Sequence, residues 1–348
     1  MQNLLLYIFL TLLLSACSVK LDLDSDILEG ESSAVCWMGA LPDSTPLSQL
    51  SIPGAHDAAS ASITSWTSWT RTQELNIAQL WNCGVRAFDL RPAWADGQLG
   101  LYHGKYSAHI SLPEVMQALL LALDKHPHET AVVVIRHEEE ADGNAPGWKD
   151  ALGAYLQSIA PRLVSYTPSL TLGELRGKML VLSRNPYTGG PLGGYIQGWS
   201  HSIQTASQKR ASVIDKDGSS SPLWVQDYYH PDGAEDKWAA VQGLLDASFE
   251  AGESRPLVIH HTSGYIGTLP DYRSNARNIN RKAAEYIQSA GKPAGIVMMD
   301  FAGTDLSSGK DVAGALLVRT LIRNNQAYFT TISSTKSHSL ERGAKKRM

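Results

Sequence analysis

Short apolar runs alternate with longer stretches of helical spacing along most of this chain. Between Pro113 and Asp124, apolar residues recur at the spacing of an amphipathic helix, and the apolar run Ala131–Ile135 follows. The later elements that the pattern predicts are helices at Trp148–Ile159, Glu235–Ala251 and Ala276–Ser289, and strands at Lys178–Ser183, Leu223–Gln226, Pro256–His260 and Gly295–Met299. Short strands that alternate with helices indicate an α/β fold with a mostly parallel sheet and helices outside it.

The length and composition fit one large domain with a substantial core. The chain has 348 residues, of which 43% are hydrophobic, and α/β barrels routinely occupy such a length as a single domain. The formal net charge of -4 gives no support to nucleic-acid binding through a general basic field. We therefore expect no nucleic-acid partner.

The beginning of the chain is typical of an export signal. The run Leu4–Leu14 is almost continuously apolar, too short to span a bilayer comfortably but suited to the core of a signal peptide. Leu14-Ser15-Ala16-Cys17 resembles the bacterial lipobox, in which the cysteine is acylated after cleavage in front of it. We expect a lipoprotein of the bacterial cell envelope, anchored through Cys17. An ordinary signal peptide, and hence a secreted protein, is the alternative.

These features predict the organisation of the whole chain. Residues 1–16 form the signal peptide, residues 17–34 a polar and acidic tether, residues 35–333 the folded domain, and residues 334–348 a basic tail without regular structure. The two remaining cysteines, Cys36 and Cys83, form either one disulfide or two unpaired and partly buried thiols, and both interpretations stay open.

Polar and charged residues gather where the predicted strands end. The carboxyl ends of parallel strands in an α/β barrel meet at one face, where such enzymes build their active sites. Each residue alone has an ordinary alternative, such as a surface ion pair for an arginine or a helix N-cap for an aspartate. Their recurrence at the same topological position favours a functional site. The residues are His56, Asp57, Asp89, Arg91, Arg136, Arg184, Asp227, Tyr229 and Asp300.

Two histidines on either side of an arginine suggest the chemistry. His56 lies in the segment Ser51–Asp57 and His103 precedes Gly104, while Arg91 lies between them in the sequence. One imidazole can remove a proton from a nucleophile, the other can protonate a leaving oxygen, and a guanidinium neutralises phosphoryl charge. These residues therefore suit the cleavage of a phosphodiester.

The motifs together resemble the X-domain of bacterial phosphatidylinositol-specific phospholipase C. The similarity extends from about Leu47 to Phe329. It implies a distorted TIM-type (β/α)8 barrel in a single domain. It also implies a lyase that acts on phosphatidylinositol or a glycosylated form of it. We expect the protein to be a monomer that reaches the membrane surface through its lipid anchor. The segments that carry the resemblance are Ile52–Asp57, Gly84–Arg91, Leu101–Gly104, His126–Thr130, Val225–Tyr229 and Met299–Phe301.

The resemblance assigns roles to the two histidines. His56 matches the general base that deprotonates the inositol 2-hydroxyl, and Asp300 matches the aspartate that orients it. His103 matches the general acid that protonates the departing glycerol oxygen, and Asp57 matches its carboxylate partner. A carboxylate suits either position because it fixes the imidazole tautomer and stabilises the cationic form.

The remaining matches concern substrate binding. Arg91 matches the phosphate-binding arginine, and Asp89 is best interpreted as the group that holds its guanidinium in place. Arg136 stands where the bacterial enzymes usually carry lysine, which keeps the charge but changes the donor geometry. The residues that match the inositol pocket are Arg184, Asp227 and Tyr229.

Arg91 also bears on the cofactor. Calcium-dependent relatives carry a carboxylate ligand at this place, and Ca²⁺ needs several oxygen ligands. An arginine there supplies the positive charge itself, so we expect no metal and no other cofactor. Two other functions remain open: a glycerophosphodiester phosphodiesterase, which normally uses a metal held by a carboxylate pair, and a lipoprotein that binds inositol phosphates or glycans without turning them over.

The position of Arg91 predicts that phosphatidylinositol cleavage needs no divalent cation. Release of cyclic inositol phosphate should proceed at the full rate in excess chelator, because the guanidinium and not a metal neutralises the phosphoryl charge. Assays with and without added Ca²⁺ would test this. A strict Ca²⁺ requirement would contradict it.

Overall fold

The computed structural model describes residues 34–64, 68–199, 209–267 and 269–345. The helices are α1 (Ile77–Asn82), α2 (Leu112–Lys125), α3 (Glu139–Asp142), α4 (Gly147–Ser158), α5 (Leu172–Leu175), α6 (Ala234–Ala251), α7 (Tyr272–Ala290) and α8 (Gly314–Lys345). The strands are β1 (Ser51–Ala55), β2 (Ala87–Leu90), β3 (Pro92–Ala95), β4 (Gln98–His103), β5 (Tyr106–Ser111), β6 (Ala131–Ile135), β7 (Met179–Ser183), β8 (Gly194–Gln197), β9 (Lys209–Ile214), β10 (Ser220–Gln226), β11 (Leu257–His261), β12 (Gly295–Met299), β13 (Leu306–Ser307) and β14 (Lys310–Asp311).

The centre of the fold is a closed barrel with the strand order β1-β12-β11-β10-β9-β8-β7-β6-β2. Neighbouring strands are parallel except at β9, which is antiparallel to both β8 and β10. The α/β barrel in a single domain is thus confirmed, with β9 as an addition to the parallel set. This antiparallel strand makes the barrel a distorted relative of the regular (β/α)8 form.

The strands predicted from apolar runs agree closely with the structure. Strands β6 and β12 have the predicted bounds, and all five residues of each are buried, as expected for parallel strands covered on both faces. Helix α2 begins at Leu112, one residue before the predicted start, because Ser111 and Glu114 form a capping box there. Helix α7 starts earlier than predicted, at Tyr272, because the Asp271 side chain accepts from the backbone N–H of Ser274 and caps it there.

A separate antiparallel sheet of β3, β4 and β5 follows the second barrel strand. It brings His103, the last residue of β4, back toward the end of β2, because the backbone N–H of Tyr102 donates to the carbonyl oxygen of Arg91 at 3.0 Å. His103 therefore follows a strand, as the sequence indicated, but one outside the barrel.

The structure describes much of the C-terminal end of the chain but little of the predicted N-terminal segments. The predicted signal peptide, Cys17 and nearly all of the tether lie outside the described residues. Helix α8 continues past Ser333 to Lys345. The division of the chain into a domain at residues 35–333 and a tail at residues 334–348 stays a prediction. None of the helices in the described ranges combines the length and the apolar composition needed to cross a membrane.

Candidate active site

A histidine–aspartate pair forms the base of the site. His56 follows β1 and Asp300 follows β12, and these strands are neighbours in the barrel. Nδ1 of His56 donates to Oδ1 of Asp300 at 2.7 Å, while the backbone N–H of Gly264 donates to the other carboxylate oxygen at 3.0 Å. Because Nδ1 carries the proton, Nε2 of His56 keeps its lone pair, which is the tautomer a general base needs.

Gly264 has to be a glycine for this contact to exist. Its φ of +139° is a conformation that residues with a Cβ rarely adopt. A Cβ on Gly264 would also lie 2.5 Å from the carbonyl oxygen of Tyr229. The glycine therefore allows the loop after β11 to approach both Asp300 and the Tyr229 backbone.

Arg91 joins the base to the rest of the site. Its Nη2 donates to Nε2 of His56 at 2.7 Å, and its Nη2 and Nε donate to Oδ2 of Asp89 at 3.0 and 3.2 Å. The same carboxylate oxygen accepts from the backbone N–H of Asp57 at 3.1 Å. Asp89 thus fixes both the guanidinium and the turn that follows His56.

The second histidine is held by two acceptors. Nδ1 of His103 lies 3.0 Å from the carbonyl oxygen of Thr70 and 3.2 Å from Oδ2 of Asp57. The Thr70 contact has hydrogen-bond geometry, whereas the Asp57 contact is an electrostatic one. Both contacts are made with oxygen acceptors, so Nδ1 carries a proton and Nε2 is the atom that can exchange a proton with a ligand. The contacts His103–Asp57–Asp89–Arg91–His56 form one continuous network.

The charges of this network shift its pKa values in a consistent way. Burial and Arg91 disfavour the cationic form of His56, but the charge and hydrogen bond of Asp300 together with the charge of Asp89 outweigh them, and the pKa of His56 is raised. Burial likewise opposes ionisation of Asp89, yet Arg91 and His56 lower its pKa. The pKa of Arg91 is raised by Asp89 and Asp57 against the effect of burial. Asp89 and Arg91 are therefore both charged at neutral pH.

The residues expected in the substrate pocket lie beside this network. Oδ2 of Asp227, which follows β10, accepts from the Trp199 indole N–H at 3.0 Å, and the Arg184 guanidinium carbon lies 4.1 Å from the centroid of the Trp199 ring. Burial opposes ionisation of Asp227, but His261 and Arg184 lower its pKa to about 2. A charged carboxylate and a guanidinium beside an indole suit a ligand with many hydroxyl groups.

Arg136 and Tyr229 lie further out. Nη2 of Arg136 lies 3.5 Å from Oε1 of Glu138, at the long end of an ion pair. The ring of Tyr229 has its centroid 6.2 Å from that of Tyr265, which lies 5.8 Å from that of Tyr272. This aromatic row reaches His103, because the ring centroids of Tyr272 and His103 are 6.0 Å apart.

Sequence reasoning missed several residues of the site. Buried Glu138 follows β6 by the same rule that identified Arg136; burial raises its pKa, against the charges of Arg91 and Arg136. His261 ends β11, and its ring centroid lies 5.8 Å from that of His56. Both could have been found by extending the search for polar residues by one or two positions at each strand end. Trp199, the Thr70 carbonyl and Gly264 carry no such signal.

The donor set of the site is not that of a metal centre. Within the described ranges, no group of three or more histidine, cysteine or acidic residues could hold a metal ion. Asp89, which would be the natural ligand, directs one oxygen at Arg91 and at the Asp57 backbone. Metal-independent cleavage stays a prediction, to be decided by the chelator assay.

The His56–Asp300 pair predicts a measurable change in titration. Asp300→Asn should lower the pKa of His56, because burial and Arg91 then act without the compensating carboxylate. Histidine NMR titration would measure it, with Asp57→Asn as the control that removes the carboxylate beside His103 instead. The pKa of His56 is raised in the folded state. The pair therefore contributes its full stabilisation at pH values below the ordinary histidine pKa, and this contribution is lost as the pH rises through the raised pKa. The variant should therefore lose more stability at about pH 5.5 than at about pH 8. An unchanged His56 pKa would count against the pairing.

Comparison with known proteins gives consistent results. No protein-family model matches the chain. The chain is 28% identical over 285 residues to a 1-phosphatidylinositol phosphodiesterase of Listeria monocytogenes, covering 76% of this chain and 80% of the relative. It is 26% identical over 294 residues to the protein of the same name in Staphylococcus aureus, covering 81% of this chain and 92% of the relative.

Solved structures give the same match in fold. A phosphatidylinositol-specific phospholipase C from Staphylococcus aureus superposes with a TM-score of 0.69 at 23% identity, covering 83% of this chain and 98% of that one. The enzyme from Listeria monocytogenes superposes with a TM-score of 0.64 at 23% identity, covering 84% and 98%. The chain is thus similar in sequence over most of its length to bacterial 1-phosphatidylinositol phosphodiesterases, and it has the fold of the bacterial phosphatidylinositol-specific phospholipases C.

Proposed function

We propose that this protein is a phosphatidylinositol-specific phospholipase C of the lyase type. It cleaves the bond between phosphorus and the glycerol oxygen, releasing diacylglycerol and a cyclic inositol phosphate. One observation carries the proposal: a histidine–aspartate pair, an arginine and a second histidine form a single contact network at one end of the barrel. The similarity to curated 1-phosphatidylinositol phosphodiesterases supports the same substrate class.

His56 starts the reaction as general base. Nε2 takes the proton of the inositol 2-hydroxyl, and the oxygen attacks phosphorus to close the cyclic phosphate. The imidazolium that forms is stabilised by Asp300, whose carboxylate accepts the Nδ1 proton at 2.7 Å. The raised pKa of His56 strengthens it as a base.

Arg91 changes partners when the phosphodiester binds. In the structure its Nη2 donates to Nε2 of His56, the atom that must receive the proton. Phosphoryl oxygens are stronger acceptors for a guanidinium, so the bound phosphate takes over this donor and leaves Nε2 for the 2-hydroxyl. Asp89 keeps the guanidinium in place throughout.

His103 completes the transfer as general acid. The bond between phosphorus and the glycerol oxygen breaks, and Nε2 of the protonated imidazole gives its proton to that oxygen. Thr70 and Asp57 hold the opposite nitrogen, Nδ1, and so orient the ring with Nε2 free for the transfer. Slow hydrolysis of the cyclic product then uses the two histidines in exchanged roles.

The inositol ring binds between Arg184, Asp227 and Tyr229, with Arg136 as a further cation at the edge. The charged groups bind ring hydroxyls, and the aromatic face of Tyr229 packs on the ring. Trp199 supports this pocket, because it donates to Asp227 and underlies Arg184. Turnover of free and of glycosylated phosphatidylinositol, measured side by side, decides whether this pocket accepts an inositol that carries a glycan.

We also propose that an acylated Cys17 anchors the protein in the bacterial cell envelope. The lipobox-like sequence supports this, and several acyl chains would bind stably because each buried CH₂ contributes about 0.8 kcal/mol. Trp69, 43% exposed and adjacent to Thr70, is suited to contact a lipid interface beside His103.

Loss of either histidine tests the reaction directly. His56→Ala and His103→Ala should each lower kcat by about 10²–10⁴-fold, because each removes a general acid–base group. Phosphorus NMR of the products identifies the cyclic phosphate and separates lyase chemistry from direct hydrolysis. His128→Ala changes an exposed histidine at the other end of the barrel and should leave the rate unchanged.

Substrate choice separates the remaining alternatives. A glycerophosphodiester phosphodiesterase would prefer glycerophosphodiesters and need a metal, and a binding lipoprotein would bind myo-inositol without any turnover. Near-normal turnover by both alanine variants would overturn the assigned roles.

A further inference from the structure

A fully buried lysine lies behind the inositol pocket. Lys237 is in the first turn of α6 and has no exposed surface. Its Nζ donates to the carbonyl oxygen of Tyr228 at 2.7 Å. A lysine is almost never fully buried unless charged or polar groups compensate for its lost hydration. Nothing in the general acid–base mechanism requires a cation at this place.

The hydrogen bond of Lys237 holds the backbone segment that carries the pocket residues Asp227 and Tyr229. Tyr228 stands between Asp227 and Tyr229 in the sequence, so its carbonyl sets the direction of the backbone on both sides. The next carbonyl, that of Tyr229, accepts from the backbone N–H of Tyr265 at 2.8 Å. The segment is thus held from α6 on one side and from the loop after β11 on the other.

The titratable groups that face Lys237 lie at the ends of neighbouring strands. Asp227 follows β10, His261 ends β11 and Asp300 follows β12. Burial lowers the pKa of Lys237 to about 8, against the attraction of Asp227 and Asp300. Burial also lowers the pKa of His261, to about 4, so His261 is neutral at pH 7. The ammonium is therefore the cation shared by the pocket carboxylate and the carboxylate that orients His56.

We propose that Lys237 is a positioning residue that couples the inositol pocket to the catalytic base. Its ammonium holds the backbone of residues 227–229 and balances the charges of Asp227 and Asp300, so that the bound inositol presents its 2-hydroxyl to His56. This rests on the proposed phospholipase C activity. Lys237 itself does not touch the substrate.

Three substitutions separate the contributions of the side chain. Lys237→Met removes the charge and the donor, Lys237→Gln keeps a donor without the charge, and Lys237→Arg keeps a charge that does not titrate below about pH 12. Arg255→Met is the matched control. Arg255 is also buried and donates to backbone carbonyls, but it precedes β11 at the opposite end of the barrel.

Kinetics with a water-soluble, short-chain phosphatidylinositol give the first readout. Lys237→Met should raise KM about 10- to 100-fold and lower kcat as well, since a charge-assisted hydrogen bond and the partner of two carboxylates are lost together. Lys237→Gln should recover part of the KM but not of the kcat. Arg255→Met should lower Tm while leaving KM and kcat of the folded protein unchanged.

The pH profile gives a second readout that a purely structural lysine would not affect. Wild-type kcat/KM should decline on the alkaline side with a midpoint near 8, as Lys237 loses its proton. Lys237→Arg should move this decline to higher pH. In an Asp227→Asn background, Lys237→Met should raise KM by much less than in the wild type.

The outcomes distinguish this inference from the function on which it rests. If the wild-type protein does not cleave phosphatidylinositol, the proposed function fails. If it cleaves the lipid but Lys237→Met only lowers Tm, with KM, kcat and pH profile unchanged, the role of Lys237 is overturned. Should Lys237→Met not fold, the Lys237→Arg profile decides, and an unshifted alkaline decline rejects the proposal.

Discussion

The guanidinium of Arg91 is the interaction on which the rest of the site depends. A buried cation is costly unless it is paired and hydrogen-bonded, and Asp89 supplies both conditions. The same guanidinium contacts the free nitrogen of His56, and the carbonyl of Arg91 receives the backbone N–H of Tyr102, next to His103. One residue therefore fixes the relative position of the two histidines, although they follow strands of different sheets.

The barrel lowers the free-energy cost of burying these charged groups, because it brings groups of opposite charge together at one end. Asp89 faces Arg91, Asp300 faces His56, and Asp227 lies near Arg184 and Lys237. A carboxylate without such partners would take up a proton in this environment. The depressed pKa values of Asp89 and Asp227 show that each is instead held as an anion.

Most of the barrel and most of the site could be predicted from the sequence. Strands buried on both faces are continuous apolar runs, so β6 and β12 were placed with their correct bounds, and the polar residues after such runs were brought together as expected. Strands β8 and β9 were missed because they lie in or beyond a Gly- and Pro-rich segment. The sequence Gly194–Gln197 has too few residues for a periodic signal.

The contributions that escaped prediction act through the backbone or from a helix. Thr70 holds His103 with a carbonyl oxygen, which every residue has, and Gly264 approaches Asp300 only because of its loop conformation. Lys237 lies in helix α6, and the spacing of apolar residues in this helix does not predict that one of its lysines is buried against the barrel. Such roles depend on tertiary packing, and local sequence does not encode them.

The most direct measurement is a crystal structure with a non-cleavable phosphonate analogue of phosphatidylinositol, in which a methylene group replaces the glycerol oxygen. We expect the phosphorus to lie between the two imidazoles, with Arg91 donating to its non-bridging oxygens, Nε2 of His56 facing the inositol 2-hydroxyl and Nε2 of His103 facing the methylene. A phosphonate bound away from Arg91, or reached by only one of the two histidines, would contradict the assigned chemistry.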